Sequence, residues 1–338
     1  MRFCVVGAGA IGGLVGTKLA LAGEQVTFIA RGKNLEAIST HGMKVVLQDG
    51  SELVARNVRV TDNWDDAGQQ DVVILALKAH QVEAVADRLA PLLGPETVIV
   101  TMQNGIPFWY FAGLPGPLSG HCIESVDPGG KLLRTIPAER IVGAVVYPAS
   151  ELVQPGVVVH IEGDRFPLGE LDGSKSPRVE RISAAFAAAG LKAPVLENIR
   201  NEIWLKLWGN LSFNPVSALT HATLVDICHN PHGRELVTNM MLEAQAVAEK
   251  LGASFRVTLE KRIDGAAKVG KHKTSMLQDV EAGRSIEIDA LVGSVVELGR
   301  LVAIPTPTIC AIYQAAKLLA NTMEVDLVSV RAVPSPSS

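Results

Sequence analysis

Apolar residues in the first half of the chain fall in short runs separated by polar and glycine-rich segments. Such runs, when turn residues bound them, predict strands. They lie at 1–5, 25–30, 43–47, 71–77 and 97–101. Between some of them the apolar positions take a helical spacing, as at 14–22 and 82–93. Strands that alternate with helices in this way predict a parallel sheet with crossover helices.

The first strand leads directly into a glycine-rich turn, VGAGAIGG, at 6–13. Its glycines match the G-x-G-x-x-G spacing, which permits a tight turn, close approach of the backbone to a pyrophosphate and close packing of the next helix. An ordinary strand-turn-helix connection is the alternative for a glycine pattern alone. Here an apolar strand precedes the turn and a helix follows it, which favours dinucleotide binding. The residues predicted to hold the cofactor phosphates are Gly7, Gly9, Ala10, Ile11 and Gly12.

The second predicted strand ends at Arg31, about 20 residues after the glycines, where NAD-binding folds usually carry an acid for the ribose hydroxyl. An acid would repel a 2′-phosphate, whereas an arginine attracts it. We therefore predict NADPH as the cofactor, with Arg31 binding the 2′-phosphate and Lys33 as a nearby second cation. A solvated arginine in a turn is the alternative.

The pattern changes in the second half of the chain. Strand-like segments occur at 141–147 and 157–161, and beyond about residue 197 the apolar positions repeat with a helical period. The predicted helices lie at 202–213, 233–251, 257–269 and 287–301. We expect an α/β protein made of a Rossmann-type doubly wound domain, 1–196, an all-helical domain that carries substrate and catalytic residues, 197–328, and a flexible tail, 329–338.

Composition narrows the class of protein. The 338 residues are 48% apolar and 20% charged, enough for a large core and two domains. A net charge of -4 without long basic runs argues against nucleic acid as the main partner. The sequence has no apolar stretch of about 18 to 20 residues that would cross a bilayer. Because the four cysteines are scattered and the first residues form a strand instead of a signal, we expect a reduced, cytoplasmic protein.

Two polar segments follow neighbouring strands. Lys78 comes just after an otherwise apolar strand, and Asn104 lies in a Gln-Asn-Gly segment after the next strand. Open α/β sheets bind ligands at the carboxyl ends of their strands. Lys78 as a surface charge at a helix entry and Asn104 as half of an Asn-Gly turn are the ordinary alternatives. Together the two residues predict a polar pocket that faces the nicotinamide.

A row of polar residues occupies the segment NEIWLKLWGNLSFNP at 201–215. Lys206, Asn210 and Asn214 are spaced i, i+4 and i+8, so on a helix they share one face beside a tryptophan-rich apolar face. A solvated stripe is the alternative, but asparagine is a poor residue for a helix interior. Pro215 predicts a kink or a helix end just after the row.

Two further segments have open interpretations. The Pro/Gly-rich stretch 107–137 contains four consecutive aromatic residues, 108–111, which would line a lid, form a subunit contact or, most commonly, pack under the loop. The run Cys-His-Asn-Pro-His at 228–232 contains metal-binding residue types. Asn230 followed by Pro231 instead predicts a helix N-cap and its first helical residue, so we predict no metal site.

In their order along the chain these motifs resemble the ketopantoate reductases (2-dehydropantoate 2-reductases). The resemblance covers nearly the whole chain. It rests on GAGAIGG, Ala30-Arg31, Leu77-Lys78, Gln103-Asn104-Gly105, the lysine-asparagine row ending in Asn214-Pro215, SMLQD at 275–279 and IEID at 286–289. The glycine motif is generic. The lysine-asparagine helix followed by SMLQD and EID is specific to this family.

The resemblance implies NADPH-dependent reduction of a branched 2-keto acid, most simply 2-dehydropantoate to pantoate in pantothenate biosynthesis. It implies that Lys206 is the general acid and that Glu287 holds the substrate hydroxyl. The implied substrate-binding residues are Asn210, Asn214 and Ser275. Lys78 and Asn104 would complete the site near the nicotinamide, with Asn104 touching both substrate and cofactor. The expected partner is a small keto acid, not nucleic acid or membrane, and a homodimer is a candidate assembly.

Two alternatives stay open at this point. One is a reductase of another 2-keto acid with the same architecture. The other is a regulator that binds NADPH without turnover. The presence of a lysine, a glutamate and substrate-type amides disfavours the regulator, because a sensor needs only the nucleotide-binding half.

Overall fold

A computed structural model describes residues 1–326, and the predicted tail at 329–338 lies outside the described residues. The chain forms two compact units. The first comprises Met1–Gln103, Phe108–Cys122 and Gly129–Glu202, and the second comprises Asn104–Pro107, Ile123–Pro128 and the chain from Ile203 onward. The division of domains at residue 197 stays a prediction.

The first unit is built on two sheets. Its strands, β1 to β11, are Arg2–Val6, Gln25–Ile29, Met43–Val46, Glu52–Ala55, Arg59–Thr61, Gln70–Leu75, Leu93–Thr101, Ile141–Ala144, Ala149–Gln154, Val157–Glu162 and Leu168–Glu170. The larger sheet has the order β11-β8-β7-β6-β1-β2-β5, and all its neighbouring pairs are parallel except β11 with β8. The smaller sheet has the order β4-β3-β10-β9.

The order of the larger sheet confirms the doubly wound α/β fold. The chain leaves β1 toward β2 on one side and later returns to pair β6 with the other side of β1. The carboxyl end of β1 is therefore the topological switch point, where folds of this kind bind ligands. The predicted strand at 157–161 forms as β10 but belongs to the smaller sheet, where it pairs with β3 and β9.

The helices of the first unit are α1 to α6: Ala10–Leu21, Gly32–His41, Trp64–Ala67, Ala79–Ala86, Lys131–Thr135 and Pro177–Ala188. Helix α1 packs against strands of both sheets, and residues along most of its length are buried. The predicted helix at 82–93 is wrong in its bounds. Helix α4 ends at Ala86, a 3₁₀ turn occupies Ala90–Leu92 with Pro91 near its start, and β7 already begins at Leu93. Proline has no N–H for a longer α-helix.

The second unit, as far as it is described, consists of helices and loops. Helices α7 to α13 are Ile199–Thr220, Leu224–His229, Pro231–Lys250, Leu259–Lys268, Ser275–Glu281, Ser294–Leu301 and Pro307–Asp326, of which α7 begins at the end of the first unit. Of the kink and the helix end predicted at Pro215, the helix end is wrong, since α7 continues to Thr220. Val216 and Ala218 beyond the proline are buried, so their packing offsets the hydrogen bond that Pro215 cannot make.

The aromatic residues at 108–111 are all buried in the first unit. The indole N–H of Trp109 donates to the Thr101 hydroxyl over 2.8 Å. The buried guanidinium of Arg200 donates to the carbonyls of Tyr110 and Leu171, each over 2.7 Å, and to that of Ala112 over 2.5 Å. Of the three interpretations, packing under the loop is the one that these contacts support.

Candidate active site

The glycine turn connects β1 to α1 in the way that its spacing predicts. Gly7 has φ of +102°, and a side chain there would lie 2.7 Å from the carbonyl oxygen of Ala76. A side chain at Gly12 would lie 1.9 Å from the carbonyl oxygen of Gly7. Helix α1 begins at Ala10 with Gly9 as its N-cap, and the space beside Gly9 is open. The first backbone N–H groups of the helix therefore fit a pyrophosphate.

Arg31 follows the carboxyl end of β2 by two residues. It is the N-cap of α2, and it is exposed. The first turn of α2 is tied to the glycine turn by Asn34. Its amide donates to the carbonyl of Ala8 and its side-chain oxygen accepts from the N–H of Gly156, both over 2.7 Å. These bonds hold the start of α2, which Arg31 caps, close to the glycine turn. Asn34 was not predicted, because its partners are distant in sequence.

Lys78 follows β6 and is the half-buried N-cap of α4. The adjacent strand end is joined to it by Gln103, whose amide donates to the carbonyls of Leu75 over 2.7 Å and Leu77 over 3.2 Å. These two acceptors fix the orientation of the amide. Within residues 1–326 its buried oxygen has no hydrogen-bond partner. Gln103 thus braces the strand end that precedes Lys78, a role that the sequence did not reveal.

The second unit brings Lys206, Asn104 and Glu287 together. The ammonium group of Lys206, on α7, donates to the side-chain oxygen of Asn104 over 2.5 Å. Burial lowers the pKa of Lys206 from 10.5 to about 8, and the negative charge of Glu287 opposes that shift. Asn104 lies 102 positions before Lys206 and Glu287 lies 81 positions after it. The three residues thus form one small polar cluster around an amine.

The remaining residues of the predicted row follow on the same helix. Asn210 is half-buried one turn after Lys206, and Asn214 is buried one turn further on. The amide of Asn214 approaches the hydroxyl of Ser275 over 3.4 Å. Ser275 is exposed at the first position of α11, after Thr274, which caps that helix. The asparagine row thereby extends from the lysine to the start of α11.

Glu287 precedes an irregular helix start. The predicted helix at 287–301 is wrong in its first turn, because Asp289–Gly293 is a π-helical turn and α12 begins only at Ser294. The carboxylate of Asp289 accepts from the hydroxyl of Tyr313 over 2.6 Å and from the amine of Lys317 over 3.0 Å. Asp289 therefore ties this turn to α13, while its neighbour Glu287 interacts with Lys206.

The segment at 228–232 forms a helix cap. The side-chain oxygen of Asn230 accepts from the N–H groups of His232 and Gly233, each over 3.0 Å, and Pro231 begins α9, as predicted. Within residues 1–326 no group of three or more His, Cys, Asp or Glu side chains is placed to hold a metal ion. Across the same residues, no helix combines the length and apolarity needed to cross a bilayer.

A doubly wound sheet with a glycine turn, together with a helical unit that buries a lysine beside an amide and a carboxylate, defines a nicotinamide-dependent oxidoreductase. Two family models match the chain. The model described as Ketopantoate reductase PanE/ApbA matches residues 3–173, and its C-terminal counterpart matches residues 198–320. The chain belongs to the ketopantoate reductase family, and it is an NADPH-dependent oxidoreductase of the 2-dehydropantoate 2-reductase type.

Individual relatives agree over nearly the full length. The 2-dehydropantoate 2-reductase of Mesorhizobium japonicum is 52% identical over 321 residues, which are 95% of this chain and 98% of the relative. A crystal structure from Ralstonia solanacearum that carries the ketopantoate reductase assignment is 43% identical with a TM-score of 0.90, covering 95% of this chain and 98% of its own. The 2-dehydropantoate 2-reductase structure from Geobacter metallireducens is 28% identical with a TM-score of 0.82, covering 94% and 99%.

Proposed function

We propose that this chain reduces 2-dehydropantoate to pantoate and that Lys206 is the proton donor. The observation that carries this proposal is the environment of the Lys206 ammonium. It donates to Asn104 over 2.5 Å, and burial lowers its pKa to about 8. A general acid works best when its pKa lies near the operating pH. An unperturbed lysine amine, with a pKa of about 10.4, would give up its proton much less readily.

The chemistry needs a hydride at the ketone carbon and a proton at the ketone oxygen. NADPH supplies the hydride when it is bound. Negative charge grows on the oxygen during transfer, and the ammonium of Lys206 stabilises that charge before it gives up a proton. The N–H bond of Lys206 becomes the O–H bond of the product alcohol, and the neutral amine then regains a proton from water. Asn104 orients the ammonium by accepting from one of its N–H groups.

The other side chains of the second unit have roles that suit a 2-keto acid. Glu287 accepts from the forming hydroxyl and keeps Lys206 charged through its own negative charge. Asn210, Asn214 and Ser275 offer amide and hydroxyl donors for the carboxylate and the hydroxyl of 2-dehydropantoate. Such neutral donors hold an anion without adding a further charge to a partly buried site.

The cofactor is assigned to the glycine turn, Arg31, Lys78 and Asn104. The residues that would hold the pyrophosphate through their backbone are Gly7, Gly9, Ala10, Ile11 and Gly12. Arg31 would hold the 2′-phosphate through a charge-assisted contact. Lys78 and Asn104 would contact the nicotinamide half. The open space beside Gly9 and the exposed guanidinium of Arg31 support this assignment.

The location and the assembly belong to the same proposal. We place the enzyme in the cytoplasm, a reducing compartment that suits the four cysteines scattered along the sequence. A homodimer is the proposed assembly, in line with the dimeric ketopantoate reductase of Staphylococcus aureus. Sedimentation of the purified chain at two concentrations tests the assembly.

The test is turnover of NADPH with a panel of 2-keto acids: 2-dehydropantoate, 2-oxoisovalerate and phenylglyoxylate. We expect the highest kcat/KM with 2-dehydropantoate. Lys206→Ala should lower kcat about 10²- to 10⁴-fold, and Lys206→Arg should restore little, because a guanidinium keeps its proton. Lys250→Ala, which changes an exposed lysine at the end of α9, is the control.

Three outcomes would change the proposal. Near-normal turnover of Lys206→Ala would move the proton donor to another group. A higher kcat/KM with a different acid would assign the enzyme to that substrate. NADPH binding by the wild type without turnover of any acid would favour the regulator.

A further inference from the structure

The π-helical turn Asp289–Gly293 redirects one backbone carbonyl. The N–H of Ser294 bonds to the carbonyl of Asp289, five residues earlier, instead of to that of Ala290, four residues earlier. The released carbonyl of Ala290 accepts from the N–H of Ile106 over 3.0 Å and from the hydroxyl of Ser294 over 2.8 Å. A π turn interrupts regular α-helical hydrogen bonding and is frequent at functional sites.

The partner of this carbonyl is the turn that follows Asn104. Gly105 has φ of +87°, a conformation that other residues rarely adopt. A side chain at Gly105 would lie 2.2 Å from the carbonyl oxygen of Ala290 and 3.0 Å from its Cβ. Only glycine therefore allows the backbone to sit directly on the π turn, with Ile106 buried behind it.

The contact links the segments that carry two side chains of the proposed site. Asn104 lies immediately before Gly105, and Glu287 lies three residues before Ala290, with its carbonyl accepting from Leu291 over 3.3 Å. We infer that the π turn supports the Asn104–Ile106 segment and that Gly105 is a positioning residue, which holds Asn104 in contact with Lys206. This inference rests on the proposed function. This backbone contact of Gly105 and Ile106 with the carbonyl of Ala290, called the joint below, then holds Glu287 and Asn104 at a fixed spacing.

The chain offers a matched control for this inference. Gly252 has φ of +86°, nearly the value at Gly105, and no atom lies within 4 Å of a side chain built there. Alanine at either position introduces the same backbone strain. Only at Gly105 does it also collide with Ala290, so the difference between the two variants measures the joint.

The experiment compares Gly105→Ala and Gly252→Ala in thermal stability, kcat and the pH dependence of kcat. Gly105→Ala should lower kcat by about 10-fold or more, since small displacements of catalytic groups have effects of this size. It should also move the basic limb of the kcat profile to lower pH, because the ammonium of Lys206 loses an acceptor that favours its charged form. Gly252→Ala should lose thermal stability yet keep the wild-type kcat and basic limb.

A second pair of variants perturbs the joint from the side of the π turn. This pair tests the inference even if Gly105→Ala does not fold. Ser294→Ala removes a hydroxyl that holds the released carbonyl of Ala290, which favours a return to α-helical bonding away from Ile106. Ser212→Ala removes an equally buried hydroxyl that donates to the carbonyl of Trp208 over 3.0 Å within α7. Ser294→Ala should move the basic limb in the same direction as Gly105→Ala, and Ser212→Ala should not.

The inference is overturned if Gly105→Ala and Ser294→Ala lower only thermal stability, as their controls do, while kcat and its basic limb stay at the wild-type values. This result differs from failure of the proposed function. In that case the wild type itself reduces none of the acids, or its turnover has no basic limb to move.

Discussion

Replacing Lys206 with methionine should remove activity and, near neutral pH, stabilise the fold. Methionine keeps most of the length of the lysine stem but carries no charge to bury. The pKa of Lys206 falls from 10.5 to about 8, chiefly by burial. At about 1.4 kcal/mol for each pKa unit, keeping this ammonium protonated in the folded state costs about 3 kcal/mol.

The sign of the pH dependence follows from proton linkage. Below pH 8 both the folded and the unfolded states hold the proton, and the folded protein bears the whole cost. Between pH 8 and 10.5 the folded state loses the proton first, so the free energy of unfolding of the wild type rises with pH. Above pH 10.5 the cost is gone. The advantage of Lys206→Met should therefore be present at pH 7 and disappear through this window.

The gain in stability of Lys206→Met is reduced because methionine cannot make the hydrogen bond to Asn104. The hydrogen bond from the ammonium to Asn104 is worth about 1.5 kcal/mol, a low value for a bond to a charged group. We expect a net gain of about 1 to 2 kcal/mol in the free energy of unfolding at pH 7. Such a gain on removal of a catalytic group is the usual trade between stability and activity.

Urea unfolding of wild type and Lys206→Met at pH 7, 9 and 10.5 measures this difference, with the same change at exposed Lys250 as the control. A variant that is less stable than wild type by the same amount at all three pH values would refute the reasoning. It would mean that the amine of Lys206 stays hydrated and that its pKa is ordinary.

Two further predictions concern arginines in the first unit. Arg31→Ala should weaken NADPH binding about 10- to 100-fold, the value of a charge-assisted contact, and leave NADH binding nearly unchanged; fluorescence titration with both cofactors measures this, and equal losses would contradict the assignment. Arg200→Met should lower the free energy of unfolding by about 3 to 5 kcal/mol, because the carbonyls of Tyr110, Ala112 and Leu171 lose their buried donor. Denaturant unfolding checks it, and a loss below about 1 kcal/mol would show that other donors replace the guanidinium.

Most of the strands, and long helices such as α7 and α9, could be predicted because their signals are local. The strands β1, β6 and β7 are apolar runs bounded by turns, and their parallel pairing follows from their alternation with helices. One error is the π turn at Asp289–Gly293, and two others involve prolines. Pro91 shortened a helix whose apolar spacing seemed to continue, whereas Pro215 failed to end one because buried residues follow it. Whether a proline ends a helix depends on tertiary packing, which the local sequence does not contain.

The candidate site was predictable to different depths. Lys206, Asn210 and Asn214 could be placed on one face by spacing alone, and the structure carries them on α7. Glu287 and Ser275 are indicated only by the family resemblance, since a single glutamate or serine has no spacing to interpret. Asn34 and Gln103 act through backbone carbonyls distant in sequence, so no pattern around them signals a role.

The features that local rules disfavour in the second unit concentrate around Lys206. A charged amine is partly buried, asparagines occupy a helix interior, and a π turn replaces the first turn of a helix. Gly105, at a positive φ, connects that turn to Asn104. Each feature costs free energy by itself, and folding alone would favour leucine, alanine and a regular helix at these places. Their convergence on one amine is expected where a protein uses stability to hold reacting groups in place.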